Sequence, residues 1–266
     1  MFFTTHDQQK IYYESKGNEQ SPHKILFLNG LTQTTIAWNM TIQPLLKDYH
    51  IYLLDLVFQG QSSAPKEYLS FNNHALNVFG FINTVVRQKI ILVGISYGSL
   101  VSQHLAVNYP HVLDKLILIS TFGHKTPLYK SIELSWKNAL KSGGYELLLD
   151  VMLPFVLGNS YFDNPFIPIE TLKGMRKELQ PHPDSILKLM QATEERDNYL
   201  KEMASITCPT LIIQGRNDLL FPVFFAQAVQ QAISGSKLEI VEHCGHTINL
   251  EAPEKLSNLI RNFINN

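Results

Sequence analysis

The sequence predicts an α/β protein: a mostly parallel, doubly wound sheet that carries a helical cap insertion. Three observations lead there. Short apolar runs alternate with stretches of helical periodicity, the rhythm of a parallel sheet covered on both faces. The rhythm stops between about residues 122 and 206 and then resumes. One apolar run passes directly into Gly94-Ile95-Ser96-Tyr97-Gly98 and then into a helical pattern.

Taken in order, Ile25-Leu26-Phe27-Leu28 reads as a buried strand closed by the turn Asn29-Gly30. A helix is expected over about Trp38 to Leu46. Ile51-Tyr52-Leu53-Leu54 is the next strand and ends at Asp55, and a longer helix covers roughly Asn72 to Val86. The strand Ile90-Ile91-Leu92-Val93 leads into the glycine-flanked Ser96, followed by a helix from about Ser99 to Tyr109 and the strand Leu116-Ile117-Leu118-Ile119. Thr210-Leu211-Ile212-Ile213 and Leu238-Glu239-Ile240-Val241 are two further strands. A final helix is expected over about Ala252 to Phe263.

Between them, residues 122–206 have helical patterns and six prolines (Pro127, Pro154, Pro165, Pro168, Pro181, Pro183) but no apolar strand. The expectation is a core made of residues 1–121 and 207–266 with residues 122–206 as a helical cap, or lid. The alternative is a set of peripheral helices with no lid role.

The bulk numbers set bounds. At 266 residues, 45% hydrophobic and 17% charged, the chain is long enough for one large buried core and reads as ordinary globular protein. A formal net charge of −1 with no basic stripe argues against a nucleic-acid partner. Cys208 and Cys244 form no Cys-x-x-Cys pair, so neither a metal site nor a redox dithiol is expected, and nothing requires a disulfide. The start Met1-Phe2-Phe3-Thr4-Thr5-His6-Asp7 lacks the pattern of a signal peptide, and no apolar run reaches the ~18 residues of a membrane span. The compartment expected from this is the cytoplasm. Nothing in the sequence asks for a cofactor or sets an oligomeric state.

A strand ending in Gly-x-Ser-x-Gly and opening a helix is a nucleophile elbow. The serine must sit on a strained turn that projects its oxygen into a cleft. Gly94 and Gly98 remove side chains that would collide with the neighbouring helix and strand, and the helix N-terminus favours developing negative charge there. An alcohol needs a base. Of ten histidines, His246 follows the last strand, in His243-Cys244-Gly245-His246, on the side where open α/β sheets place their ligand sites. His243 is its nearest competitor. Asp218, in Gln214-Gly215-Arg216-Asn217-Asp218, follows the penultimate strand and is the candidate that orients the base; Pro222 is expected at the first position of the next helix. The order Ser, Asp, His suits this fold rather than the other serine-hydrolase folds. Oxyanion donors are expected from the backbone amides of Tyr97, just after the serine, and Leu31, after the strand Ile25–Leu28.

Together these segments resemble the α/β-hydrolase family over nearly the whole chain. Asn29-Gly30-Leu31, with Trp38 downstream, is similar to the family's His-Gly oxyanion loop. Asp55-Leu56-Val57-Phe58-Gln59-Gly60-Gln61-Ser62 resembles the usually glycine-rich loop after the next strand. The elbow around Ser96, the acid loop with Asp218 and Pro222, and Gly245-His246 also match. Asn29 departs from the usual histidine, and Val57-Phe58 from the usual Pro-Gly or Arg-Gly. Serine at the elbow argues against the dehalogenase and epoxide-hydrolase branches.

The resemblance implies hydrolysis of a carboxylic ester or thioester of small or medium acyl length through a Ser96 acyl-enzyme. Carbon–carbon bond hydrolysis, acyl transfer with the same triad, and a non-catalytic ligand-binding role are the alternatives. The insertion supplies candidate pocket residues (Trp136, Leu147, Leu148, Leu149, Met152, Leu153, Phe155, Val156, Phe162, Phe166, Met175), most of which are expected simply to pack it onto the sheet. His124 is placed near the cleft without an assigned role.

Overall fold

Eight strands make one sheet in the computed structural model, which describes residues 1–180 and 182–266. Pro181, one of the prolines of the middle segment, lies outside the described residues. The strands are β1 (Phe2–Thr4), β2 (Lys10–Gly17), β3 (Lys24–Leu28), β4 (His50–Leu54), β5 (Ile90–Ile95), β6 (Leu113–Ile119), β7 (Thr210–Gly215) and β8 (Lys237–Val241). Their order is β1-β2-β4-β3-β5-β6-β7-β8. From β4 to β8 every pair is parallel, while β1 and β2 join antiparallel at the edge. The six parallel strands are those the apolar runs predict. The edge hairpin is not predicted, because β2 (Lys-Ile-Tyr-Tyr-Glu-Ser-Lys-Gly) is mostly half-buried and carries no apolar run.

Side-chain alternation along the parallel strands builds two cores. Leu26, Leu28, Leu92, Leu116 and Leu118 face one side, with Val78, Leu100, Phe225 and Val229 from helices. Ile25, Phe27, Ile91, Val93, Ile117 and Ile119 face the other, against Ile42, Leu256, Ile260 and Ile264. These apolar residues are almost fully removed from water, about 2 kcal/mol for each large side chain, so the register is strongly specified.

The helices run α1 (Asn39–Ile42), α2 (Phe71–Phe81), α3 (Tyr97–Asn108), α4 (Pro127–Val156), α5 (Asn159–Asp163), α6 (Ile169–Leu179), α7 (Ile186–Glu195), α8 (Leu200–Met203), α9 (Val223–Ala232), α10 (Ile248–Glu251) and α11 (Pro253–Asn265). The helix expected over 38–46 is broken into α1 and two flanking 3-10 turns, Thr35–Trp38 and Gln43–Leu45; Pro44 has no N–H to continue an α-helical ladder. Pro222 precedes α9 as its cap, one place earlier than predicted.

Between β6 and β7 the described residues form helices α4–α8 and no strand. Their apolar groups, among them Leu148, Leu149, Met152 and Leu189, join the same core as Leu100 and Phe221. The long α4 leaves helical geometry at Gly144. No helix among the described residues is long and apolar enough to cross a membrane. Cys208 and Cys244 are both free thiols.

Candidate active site

The elbow is built by steric exclusion. Ser96 has φ 50° and ψ −116°, outside the regions a side chain normally adopts. It is held by its N–H on the Ile119 carbonyl (2.9 Å) and by its carbonyl, which accepts from the Ser99 N–H (2.9 Å) and hydroxyl (2.6 Å). A Cβ on Gly98 would strike the Leu28 and Asn29 carbonyls, and one on Gly94 would strike Ser102 and the Gly98 carbonyl. α3 starts at Tyr97, two residues before the predicted Ser99, so its N-terminal amides lie directly against the elbow.

The predicted acid and base meet. His246 Nδ1 lies 2.7 Å from Asp218 Oδ2, and both residues are buried. The same carboxylate accepts from the Leu220 (2.9 Å) and Phe221 (2.8 Å) amides and from Gln214 Nε2 (2.7 Å). With three other donors aimed at it, the carboxylate is an acceptor, so Nδ1 carries the hydrogen and Nε2 is left as the basic nitrogen. His243 lies outside this arrangement, exposed and at φ 58°. His124 packs on Phe225, with ring centroids 5.1 Å apart, and lines neither cavity beside Ser96.

The loop after β3 is fixed by side chains. The Gly30 N–H donates to Gln33 Oε1 (3.1 Å) and its carbonyl accepts from Gln59 Nε2 (2.8 Å). Asn29, buried, donates through Nδ2 to the Leu54 carbonyl and to Asp55 Oδ1 (both 3.0 Å) and accepts from the Trp38 indole (2.9 Å). That is how the side chain of Asn29 holds the loop. The Leu31 and Tyr97 amides make no hydrogen bond among the described residues, which leaves both free to donate. Leu31 lines both cavities that reach Ser96, and Tyr97 lines one of them. Burial pushes the Asp55 carboxyl up to about 6, against the opposing Thr35 and Gln61 amides. Phe58 takes φ 79°, a conformation that favours the glycine usual there, with its ring buried near His74.

Several positioning groups carry no sequence signal that the elbow and loop motifs detect. The Ser120 hydroxyl donates to the His246 carbonyl (2.7 Å). Glu251 accepts from Gly245 (2.8 Å) and Thr247 (3.1 Å), on either side of His246, and from Gly158 (3.0 Å) just past α4. Burial raises the Glu251 carboxyl, opposed by these same three amides. Gly245 is needed because a Cβ there would overlap Gly158 and Leu157, so the histidine loop runs flush against the end of α4. Burial also raises the Cys244 thiol, making it a poor source of thiolate.

Two cavities open at Ser96. One, with about 370 Å³ of empty space including its mouth, is lined by Leu31, Ser96, Trp136, Met152, Arg176 and His246, among others. The other, about 380 Å³, includes Ser96, Tyr97, Phe122, Tyr129, Glu133 and Phe221. Of the predicted pocket residues, Trp136, Met152 and Val156 line a cavity with Ser96, whereas Leu147, Phe162, Phe166 and Met175 are exposed. Among the described residues no cluster of three or more acidic, cysteine or histidine side chains is arranged to hold a metal.

Comparison with known proteins agrees with this architecture. The sequence profile of the Alpha/beta hydrolase family matches residues 25–259. Monoacylglycerol lipase abhd6-B of Xenopus laevis is 26% identical over 98% of this chain and 81% of its own. Two solved structures share the fold. MGS-M2, an alpha/beta hydrolase enzyme from a Medee basin deep-sea metagenome library, has a TM-score of 0.90 at 23% identity, covering 100% of this chain and 98% of its own. A thermophilic esterase from Thermogutta terrifontis has a TM-score of 0.88 at 22% identity, covering 100% and 97%.

Proposed function

The chain is a hydrolase of the alpha/beta hydrolase family, and from that premise we propose that Ser96, His246 and Asp218 cleave a carboxylic ester or thioester through an acyl-enzyme. One observation carries the reading. A serine held on a positive-φ turn opens into the same cavity as a histidine whose other nitrogen is locked on a buried carboxylate at 2.7 Å.

The chemistry follows from the geometry. His246 Nε2 takes the Ser96 proton as the oxygen attacks the carbonyl carbon. The Asp218 carboxylate keeps Nδ1 protonated and stabilises the imidazolium. Negative charge on the carbonyl oxygen falls to the Leu31 and Tyr97 amides, rigid before the substrate arrives and assisted by the N-terminus of α3. His246 returns the proton to the leaving alcohol or thiol, then activates water to free the acid.

Helices α4–α8 act in this reading as a cap over the cleft. Supporting that role, Trp136, Met152 and Val156 come from α4 and Arg176 from α6, and all four line the cavity with Ser96. The name of the Xenopus relative adds that esters of glycerol fall within the proposed substrate class.

The test is hydrolysis of nitrophenyl esters of increasing acyl length, beside Ser96→Ala. The parent is expected to turn over and the variant to lose about a thousandfold or more. A folded parent inert on every ester would overturn the reading.

A further inference from the structure

We propose that Glu133, on the wall of the acyl cavity, selects acyl groups that carry a hydroxyl. The proposal rests on the serine-hydrolase reading above and specifies its substrate.

The two cavities at Ser96 differ in what they hold. His246 must reach the leaving group to protonate it, so the cavity lined by His246 is the leaving-group side. The second shares Ser96, Leu31, Trp136 and Leu220 with the first but lacks His246, and contains Tyr97; it is the acyl side. Most of its wall is apolar: Leu100, Phe122, Met190, Leu220 and Phe221. Into it one face of α4 brings Tyr129, Glu133 and Trp136, spaced i, i+4 and i+7 and all buried.

A carboxylate in an apolar acyl pocket needs a partner. Glu133 is 5% exposed. Its only hydrogen bond is a long one to Oε1 from the Tyr129 hydroxyl (3.3 Å), and Oε2 has none among the described residues. The neighbouring cations are engaged elsewhere. Lys125 donates to the Thr193 and Glu194 carbonyls (both 2.7 Å), and Lys137 pairs with Glu194 (2.6 Å). The wall thus offers a carboxyl group with Oε2 unpartnered among the described residues. A substrate hydroxyl serves it, donating its O–H to Glu133. An ammonium would pair with the ionised carboxylate but not with the neutral acid. A plain alkyl chain would give Glu133 no partner and would strip its water. Burial holds the Glu133 carboxyl at about 7, and a hydroxyl can bond to either of its protonation states.

The experiment compares kcat/KM for ethyl butanoate against ethyl 3-hydroxybutanoate and for ethyl hexanoate against ethyl 6-hydroxyhexanoate, with ethyl 6-aminohexanoate as a cationic probe. In at least one pair the parent is expected to favour the hydroxy ester by about tenfold or more. Glu133→Leu should cross the preference, the hydroxy ester losing about tenfold or more while the plain ester gains. Glu133→Gln should keep the preference, since its amide oxygen still accepts. Thermal unfolding of each variant reports its fold.

The proposal is overturned if the parent favours neither hydroxy ester, if the amino ester outruns its hydroxy counterpart, or if Glu133→Leu lowers both members of a pair by one factor. Hydrolysis of the plain esters with no hydroxyl preference removes this proposal alone. A folded parent inert on all five esters but active on nitrophenyl esters likewise removes this proposal alone, and one inert on both sets removes the serine-hydrolase reading as well.

Discussion

Glu251 ends α10 five residues after the proposed base, and its removal tests whether the histidine loop is held by the cap as well as by the core. Its carboxylate accepts three backbone N–H groups: Gly245 and Thr247, which bracket His246, and Gly158, where the chain leaves α4. Glu251→Ala strands all three donors. Each charge-assisted bond contributes roughly 1.5–3 kcal/mol, but the side chain is only half-buried and water would re-enter, so the summed loss is about 2–4 kcal/mol. For a chain of this size that lowers Tm by about 5–10 °C. Slackening the loop should also cost kcat/KM about ten- to a hundredfold, since the base must keep its angle to Ser96. Glu251→Gln should fall between. Its amide oxygen can replace Oε2, which serves Gly158 and Gly245, while its NH2 would face the Thr247 N–H. Thermal melts and nitrophenyl ester kinetics on the same preparations decide it. If Glu251→Ala melts with the parent and keeps its kcat/KM within about twofold, the clamp argument is wrong.

Other consequences are equally direct. Asp218→Asn should keep the fold but lose kcat/KM by about 10⁴, because an amide cannot enforce the Nδ1–H tautomer; a drop under tenfold would mean His246 is oriented by something else. Asn29→Ala should destabilise by about 2–4 kcal/mol in urea unfolding, since it strands the buried Trp38 indole N–H and the Leu54 carbonyl; an unchanged midpoint would refute that. Glu133 sets a pH dependence of stability. Its folded value, about 7, lies above the ordinary 4.5, so the folded state holds the proton more tightly and stability falls as pH rises from about 4.5 to 7. The span corresponds to about 3 kcal/mol. Glu133→Gln should therefore gain on the parent between pH 5 and pH 8, and an equal difference at both pH values in urea unfolding would count against the burial account.

What the sequence made legible follows from the range of each interaction. The apolar runs at 25–28, 51–54, 90–93, 116–119, 210–213 and 238–241 report burial of whole strands, so all six parallel strands could be read from them. The elbow was legible because Gly94 and Gly98 are required by contacts with fixed neighbours in the fold. Asp218 and His246 were legible because each lies in the loop closing a recognisable strand. The edge hairpin β1–β2 was not, since β2 is only half-buried and Tyr, Glu, Ser and Lys share its faces. Glu251 and Ser120, and the partners of Asn29, stayed hidden for another reason. Their partners are mostly backbone groups or residues distant in sequence, and such partners leave no local pattern. Glu133 carries no motif in the sequence, and only the fold sets it against the cavity of Ser96.

The central claim is that Ser96 is an activated nucleophile. The most direct measurement is reaction with a fluorophosphonate, followed by mass spectrometry of the intact protein and its peptides. The account predicts one adduct per chain, located on the peptide containing Ser96, absent from Ser96→Ala and formed much more slowly in Asp218→Asn. A folded protein that takes no label, or takes it on another residue while Ser96→Ala still hydrolyses esters, would contradict it.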